Sequence, residues 1–179
     1  MTLILSLQAF TAAHVALSVI GLVCGPFVLR EIFASRRPAG WAALFLTSLA
    51  ATSLSGFMFP FTRLGPGWVI GAISLAVLVP TILACTLYRL AGPWRWIYAV
   101  GATVTLYLDV VIAVLQLFAK LPALHAAGTT RLAVAQLAVL GTFATIAIRA
   151  VARFHPANPE RTDRMPAPVL SQPRSRTGQ

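Results

Sequence analysis

Apolar residues gather in five long runs separated by short polar breaks, at about 4–29, 41–61, 68–88, 94–118 and 132–152. Each run has about the 20 residues that a helix needs to cross roughly 30 Å of hydrocarbon. None alternates apolar and polar positions as a barrel strand does. In lipid the backbone must satisfy its own hydrogen bonds, which leaves helices. The pattern therefore predicts an all-α integral membrane bundle of five transmembrane helices over residues 1–154.

The breaks carry the chemistry that ends helices. Arg36-Arg37-Pro38-Ala39-Gly40 parts the first two runs, Gly65-Pro66-Gly67 the next pair, and Ala91-Gly92-Pro93 the third from the fourth. Pro122 and Gly128 fall in the last break. Trp41, Trp68, Trp94 and Trp96 stand at the starts of runs, where an indole prefers the membrane interface. The first run has no basic leader and exceeds the apolar stretch of a signal peptide, so a retained helix is expected. Pro80 interrupts the hydrogen-bond ladder of the third. Residues 155–179 hold Pro156, Pro159, Pro166, Pro168 and Pro173 among scattered arginines, the composition of a disordered basic cytoplasmic tail.

Composition agrees with the membrane and adds an orientation. Of 179 residues 58% are hydrophobic and 10% charged, and mean hydropathy is +0.82. A water-soluble domain carries roughly a quarter charged residues. The net charge of +10 suggests nucleic acid at first sight. Yet no basic stripe with interleaved aromatics is present, and no nucleic-acid partner is expected; the basic residues read as topology signals and lipid contacts. Arg30, Arg36, Arg37, Arg89, Arg95 and the six arginines from Arg149 onward fall on one side of the bundle. Arg63, Lys120 and Arg131 fall on the other. The positive-inside rule then puts the N-terminus outside and the C-terminus in the cytoplasm.

Asp109 is the sharpest candidate for chemistry. It is the only acidic residue within the five runs, near the middle of the fourth, where an ionisable group is expensive and often functional. At 100° per residue Thr105, Asp109, Gln116 and Lys120 share one helix face, which should meet protein or a water-filled cavity. His14 lies at a similar depth in the antiparallel first run, which predicts that His14 and Asp109 meet, directly or through a water. Both the pairing and its role stay open. The two residues are either hydrogen-bonded glue between helices or a proton- or ion-handling site.

Gln116 and Gln136 sit at comparable depths and are candidates for a bond between the fourth and fifth helices. Ser18, Gly21 and Gly25 continue the His14 face, with Gly21 and Gly25 forming a GxxxG close-approach pattern. Ser48, Thr52 and Gly56 make a small-residue ridge on the second helix. Haem would ask for a second intramembrane histidine, and His125 and His155 lie outside the runs. Cys24 and Cys85 fall singly inside runs, without metal-ligand spacing. No catalytic motif is recognised and no cofactor or metal is predicted.

Gly40–Leu46 (GWAALFL), Thr52–Phe61 (TSLSGFMFPF), Trp94–Ala102 (WRWIYAVGA) and Leu106–Asp109 (LYLD) together resemble a family of small, uncharacterised multi-pass inner-membrane proteins of bacteria. The resemblance covers roughly residues 9–154. It implies a bacterial cytoplasmic-membrane location and nothing catalytic. The expectation is a structural, accessory or interaction protein of the bilayer, possessing a GxxxG face suited to a homo-oligomer or a membrane partner. The alternatives are a small proton- or ion-linked transporter or channel component using Asp109 and His14, and a membrane redox or haem protein.

Overall fold

The computed structural model describes residues 2–58, 66–125 and 128–155. Among these residues the chain is helical, with no strand. The helices are α1 (Thr2–Phe33), α2 (Gly40–Gly56), α3 (Pro66–Thr86), α4 (Trp94–Lys120), α5 (Pro122–His125) and α6 (Gly128–Arg153). Four are long and apolar enough to cross a membrane, over Ser6–Phe33, Trp68–Thr86, Trp94–Lys120 and Gly128–Arg153. α2 has 17 residues, about 25 Å at 1.5 Å per residue. It ends at Gly56, with Phe57 and Met58 turning out of the helix through N–H bonds to the Leu54 and Ser55 carbonyls, short of the expected end at Phe61. Residues 59–61, Arg63 and the tail from Pro156 lie outside the described residues.

α6 begins at Gly128, before the expected 132, and two further departures from the sequence reading have local reasons. α1 runs past Arg30 to Phe33 because nothing breaks it before Ser35, which takes the left-handed φ of 51°. Glu31 thereby becomes helical, with Oε2 buried and unpartnered, so Asp109 is not the only acidic residue in the long apolar helices. In the last break, Pro122 opens the short helix α5, which hydropathy could not announce.

α4 is the centre of the bundle and touches every other helix. α1 packs mainly on α2, and α3 and α6 each pack on α4. The tightly packed core lies toward the basic end. It takes Cys24, Val28 and Ile32 from α1, Phe45 and Leu49 from α2, Ala84 from α3, and Tyr98, Ala102 and Leu106 from α4. Rings reinforce that half: Phe27 stacks on Trp41 at 4.5 Å, and Tyr98 lies 5.7 Å from Phe154. Ser35 Oγ donates to the Arg153 carbonyl and accepts from the His155 N–H, tying the α1–α2 loop to the end of α6.

Small residues set the close approaches, as expected where apolar lipid offers helices no hydrophobic incentive to associate. A side chain at Gly21 would run into Leu49 of α2, and one at Gly25 into Leu106 of α4. The GxxxG face is thus spent on packing inside the bundle. The tightest approach is at Gly101, where a Cβ would overlap the Thr81 hydroxyl of α3. Toward the opposite end buried residues become sparse on all four of these helices. There the bundle opens.

Candidate functional site

The opening is a chamber of about 680 Å³ between α1, α2, α3 and α4. Its walls are mostly apolar, with Val15, Leu22, Ile70, Leu108 and Ile112 among them. Polar groups from several helices interrupt them; on α4, Thr105, Asp109, Gln116 and Lys120 all line the chamber as the helical spacing predicts. Asp109 is eleven residues from Lys120, the last residue of α4, so it lies about 16 Å down the helix. Gln116 and Lys120 are exposed, whereas Asp109 is half-buried.

α1 supplies the facing polar groups. His14 and Ser18 are one turn apart and both line the chamber. Ser18 Oγ donates to Asp109 Oδ1 at 2.7 Å, a charge-assisted bond when the carboxyl is ionised. Asp109 Oδ2 is buried without a hydrogen-bond partner, on the side of Gly21, where a Cβ would stand 3.4 Å from it. The carboxyl therefore sits on the border between the chamber and the α1–α4 contact. A buried oxygen left unsatisfied costs on the order of 1–3 kcal/mol and calls for a water, a proton or an ion.

His14 pairs with α2. Its Nδ1 lies 2.8 Å from Ser55 Oγ, and Ser55 Oγ also donates to the Thr52 carbonyl at 3.0 Å. A hydroxyl has one proton, so with that proton on Thr52 it is His14 Nδ1–H that donates to Ser55. His14 and Asp109 both line this chamber, but no direct bond between them is seen, so the expected pairing is not shown. His14 is held by Ser55, Asp109 by Ser18, and both groups border one space.

The remaining candidates divide. Gln136 does bond to α4, but its Nε2 donates to the Val111 carbonyl at 3.1 Å while Oε1 stays buried and unpartnered. Ser48 and Thr52 hydroxyls turn back on their own helix, to the Phe45 and Ser48 carbonyls. At Gly56 a Cβ would lie 3.7 Å from His14 Cε1, an ordinary contact, so the imidazole packs beside this glycine without requiring it. Ser18, taken from sequence as packing, is a ligand of the carboxyl. Sequence reasoning passed over Ser55, although Ser48, Thr52 and Ser55 recur at i, i+4 and i+7 and so mark one face. It took Gly71 of α3 for packing alone and missed the buried Ser74, both of which line the chamber.

Among the described residues no group of three or more His, Cys, Asp or Glu side chains is placed to hold a metal ion. Comparison with protein-family models, curated proteins and solved structures finds no match to this chain.

Proposed function

We propose that the chain is a five-span protein of the bacterial inner membrane, N-terminus periplasmic and C-terminus cytoplasmic. In this reading it works as a small proton- or ion-linked transporter or channel component. The chamber is its outer vestibule and Asp109 the group that takes up the proton or cation. One observation carries the reading: an intramembrane carboxyl with a spare, unpartnered oxygen borders the same open chamber as His14. Polar groups placed so deep face water-filled paths or one another, and they mark ion and proton routes. Lys120 at the rim and Gln116 below it continue the polar line from Asp109 outward.

A second reading, a structural or accessory bundle, draws on a specific feature as well. The space beneath Asp109 is filled by Leu49 and Leu106, both buried, which leaves the chamber a closed floor. Transport then needs a second arrangement of the helices, and an accessory protein does not.

Asp109→Asn separates the two, since the amide oxygen still accepts from Ser18 and the fold is retained. In liposomes the substitution should abolish pH-driven flux while elution and helicity stay unchanged. Flux equal to that of the parent would remove Asp109 from any transport role.

A further inference from the structure

A second cavity lies at the other end of the molecule, away from the chamber, between the α1–α2 and α3–α4 loops. It measures about 280 Å³ and is lined by Arg37, Pro38, Cys85, Thr86, Arg89 and Leu90. Arginines from two separate loops thus meet at one hollow, and among the described residues no acidic side chain lines it.

Both loops are shaped firmly enough to hold that arrangement. In the first, Ser35 is left-handed and its hydroxyl is fixed between the Arg153 carbonyl and the His155 N–H, with Pro38 restricting the chain beyond. In the second, Arg89 and Leu90 both take positive φ, 45° and 63°, an uncommon conformation for residues with a Cβ. The turn is pinned on both sides of Arg89. Leu90 is buried and its N–H bonds to the Ala84 carbonyl at 2.9 Å. Tyr88 stacks on Trp94 with ring centroids 3.6 Å apart. The conformation therefore places Arg89 beside the hollow.

Two arginines lining one hollow suit the chemistry of a phosphate, which accepts several N–H bonds at once. The rest of this end carries Arg30, Arg36, Arg95, Arg149 and Arg153, so the surrounding field also favours an anion. Basic pockets between helices at a membrane face bind lipid headgroups in this way.

We infer that the Arg37–Arg89 pocket binds a phosphate-type oxyanion, either the headgroup phosphate of an anionic lipid or free phosphate. The inference does not depend on the transport reading. The test uses the purified full chain in neutral detergent and follows thermal unfolding with added phosphatidylglycerol, phosphatidylcholine or inorganic phosphate. Phosphatidylglycerol should raise Tm and phosphatidylcholine should not. In R37Q/R89Q the affinity should fall roughly tenfold or more, for two lost cationic contacts. R36Q, whose residue neighbours the pocket without lining it, should keep the effect. Protection by inorganic phosphate with the same dependence on Arg37 and Arg89 would make a free oxyanion the occupant of the same site. No protection by either anion, or equal loss in R36Q, would overturn the proposal in favour of a diffuse basic surface. Should the double glutamine variant elute as aggregate, R37K/R89K decides. It keeps both charges but lacks the forks, and unchanged affinity there overturns a shaped site.

Discussion

Gly101 lacks a side chain because Thr81 stands where one would be. Thr81 is fully buried, β-branched and bonded through its hydroxyl to the Val77 carbonyl at 2.6 Å, so it has little freedom to yield. Gly101→Ala should cost about 1–3 kcal/mol through overpacking, seen as a lower Tm in detergent. Adding Thr81→Ala should recover part of that loss, as coupling between neighbours requires. Gly141→Ala on α6 meets nothing within 4 Å and should cost nothing. This contrast shows which residues were readable in advance. Asp109 and its companions on α4 were legible because a polar group in an apolar run is conspicuous and helical geometry fixes its face. The GxxxG glycines were legible as close contacts, though not which neighbours they meet. Gly101 was silent, since a glycine in a helix says nothing until the residue across from it is known. Glu31 was hidden by a boundary: it lies two residues beyond the expected end of the first run, and the helix continues to Phe33.

Of the five long helices, α6 is the least buried. Ala150 is its one buried residue, and Val134, Leu137 and Ile148 are exposed at 61%, 66% and 72%. In a bilayer that face meets lipid. Its polar link, Gln136 to the Val111 carbonyl, reaches an oxygen that already accepts a bond within α4, and it leaves Gln136 Oε1 buried and unsatisfied. The gain from the bond and the cost of the orphan oxygen nearly cancel. Gln136→Met should therefore change stability by less than about 1 kcal/mol, in line with the ~0.6 kcal/mol average for interhelical bonds in membranes. A Tm in detergent that falls far more would show the amide to be a structural anchor of α6. The long apolar helices were legible from hydropathy alone, because lipid makes apolar length the dominant requirement. α5 was not, since four residues turned by a proline leave no periodic trace. The splay that opens the chamber was not legible either; it depends on where small and large residues meet across helices.

At the scale of the molecule the two ends differ in both packing and charge. The end that holds the buried core also carries Arg30, Arg36, Arg37, Arg89, Arg95, Arg149 and Arg153, against Lys120 and Arg131 at the chamber end among the described residues. Lys and Arg near helix ends resist translocation, so the packed end should stay in the cytoplasm and the chamber should open outward. This orientation decides what the chamber can sample. Cysteine labelling in a chain freed of Cys24 and Cys85 reads it directly. Ala39 sits in the loop at the basic end and Thr129 at the chamber end, both exposed. In intact cells an impermeant thiol reagent should reach Thr129→Cys and leave Ala39→Cys untouched until the membrane is opened. The reverse pattern would turn the chamber toward the cytoplasm and make Asp109 a group loaded from inside. Labelling of both positions in intact cells would mean that the two ends do not lie on opposite sides of the membrane. The vestibule reading would then fail with the topology, whatever Asp109→Asn did to flux.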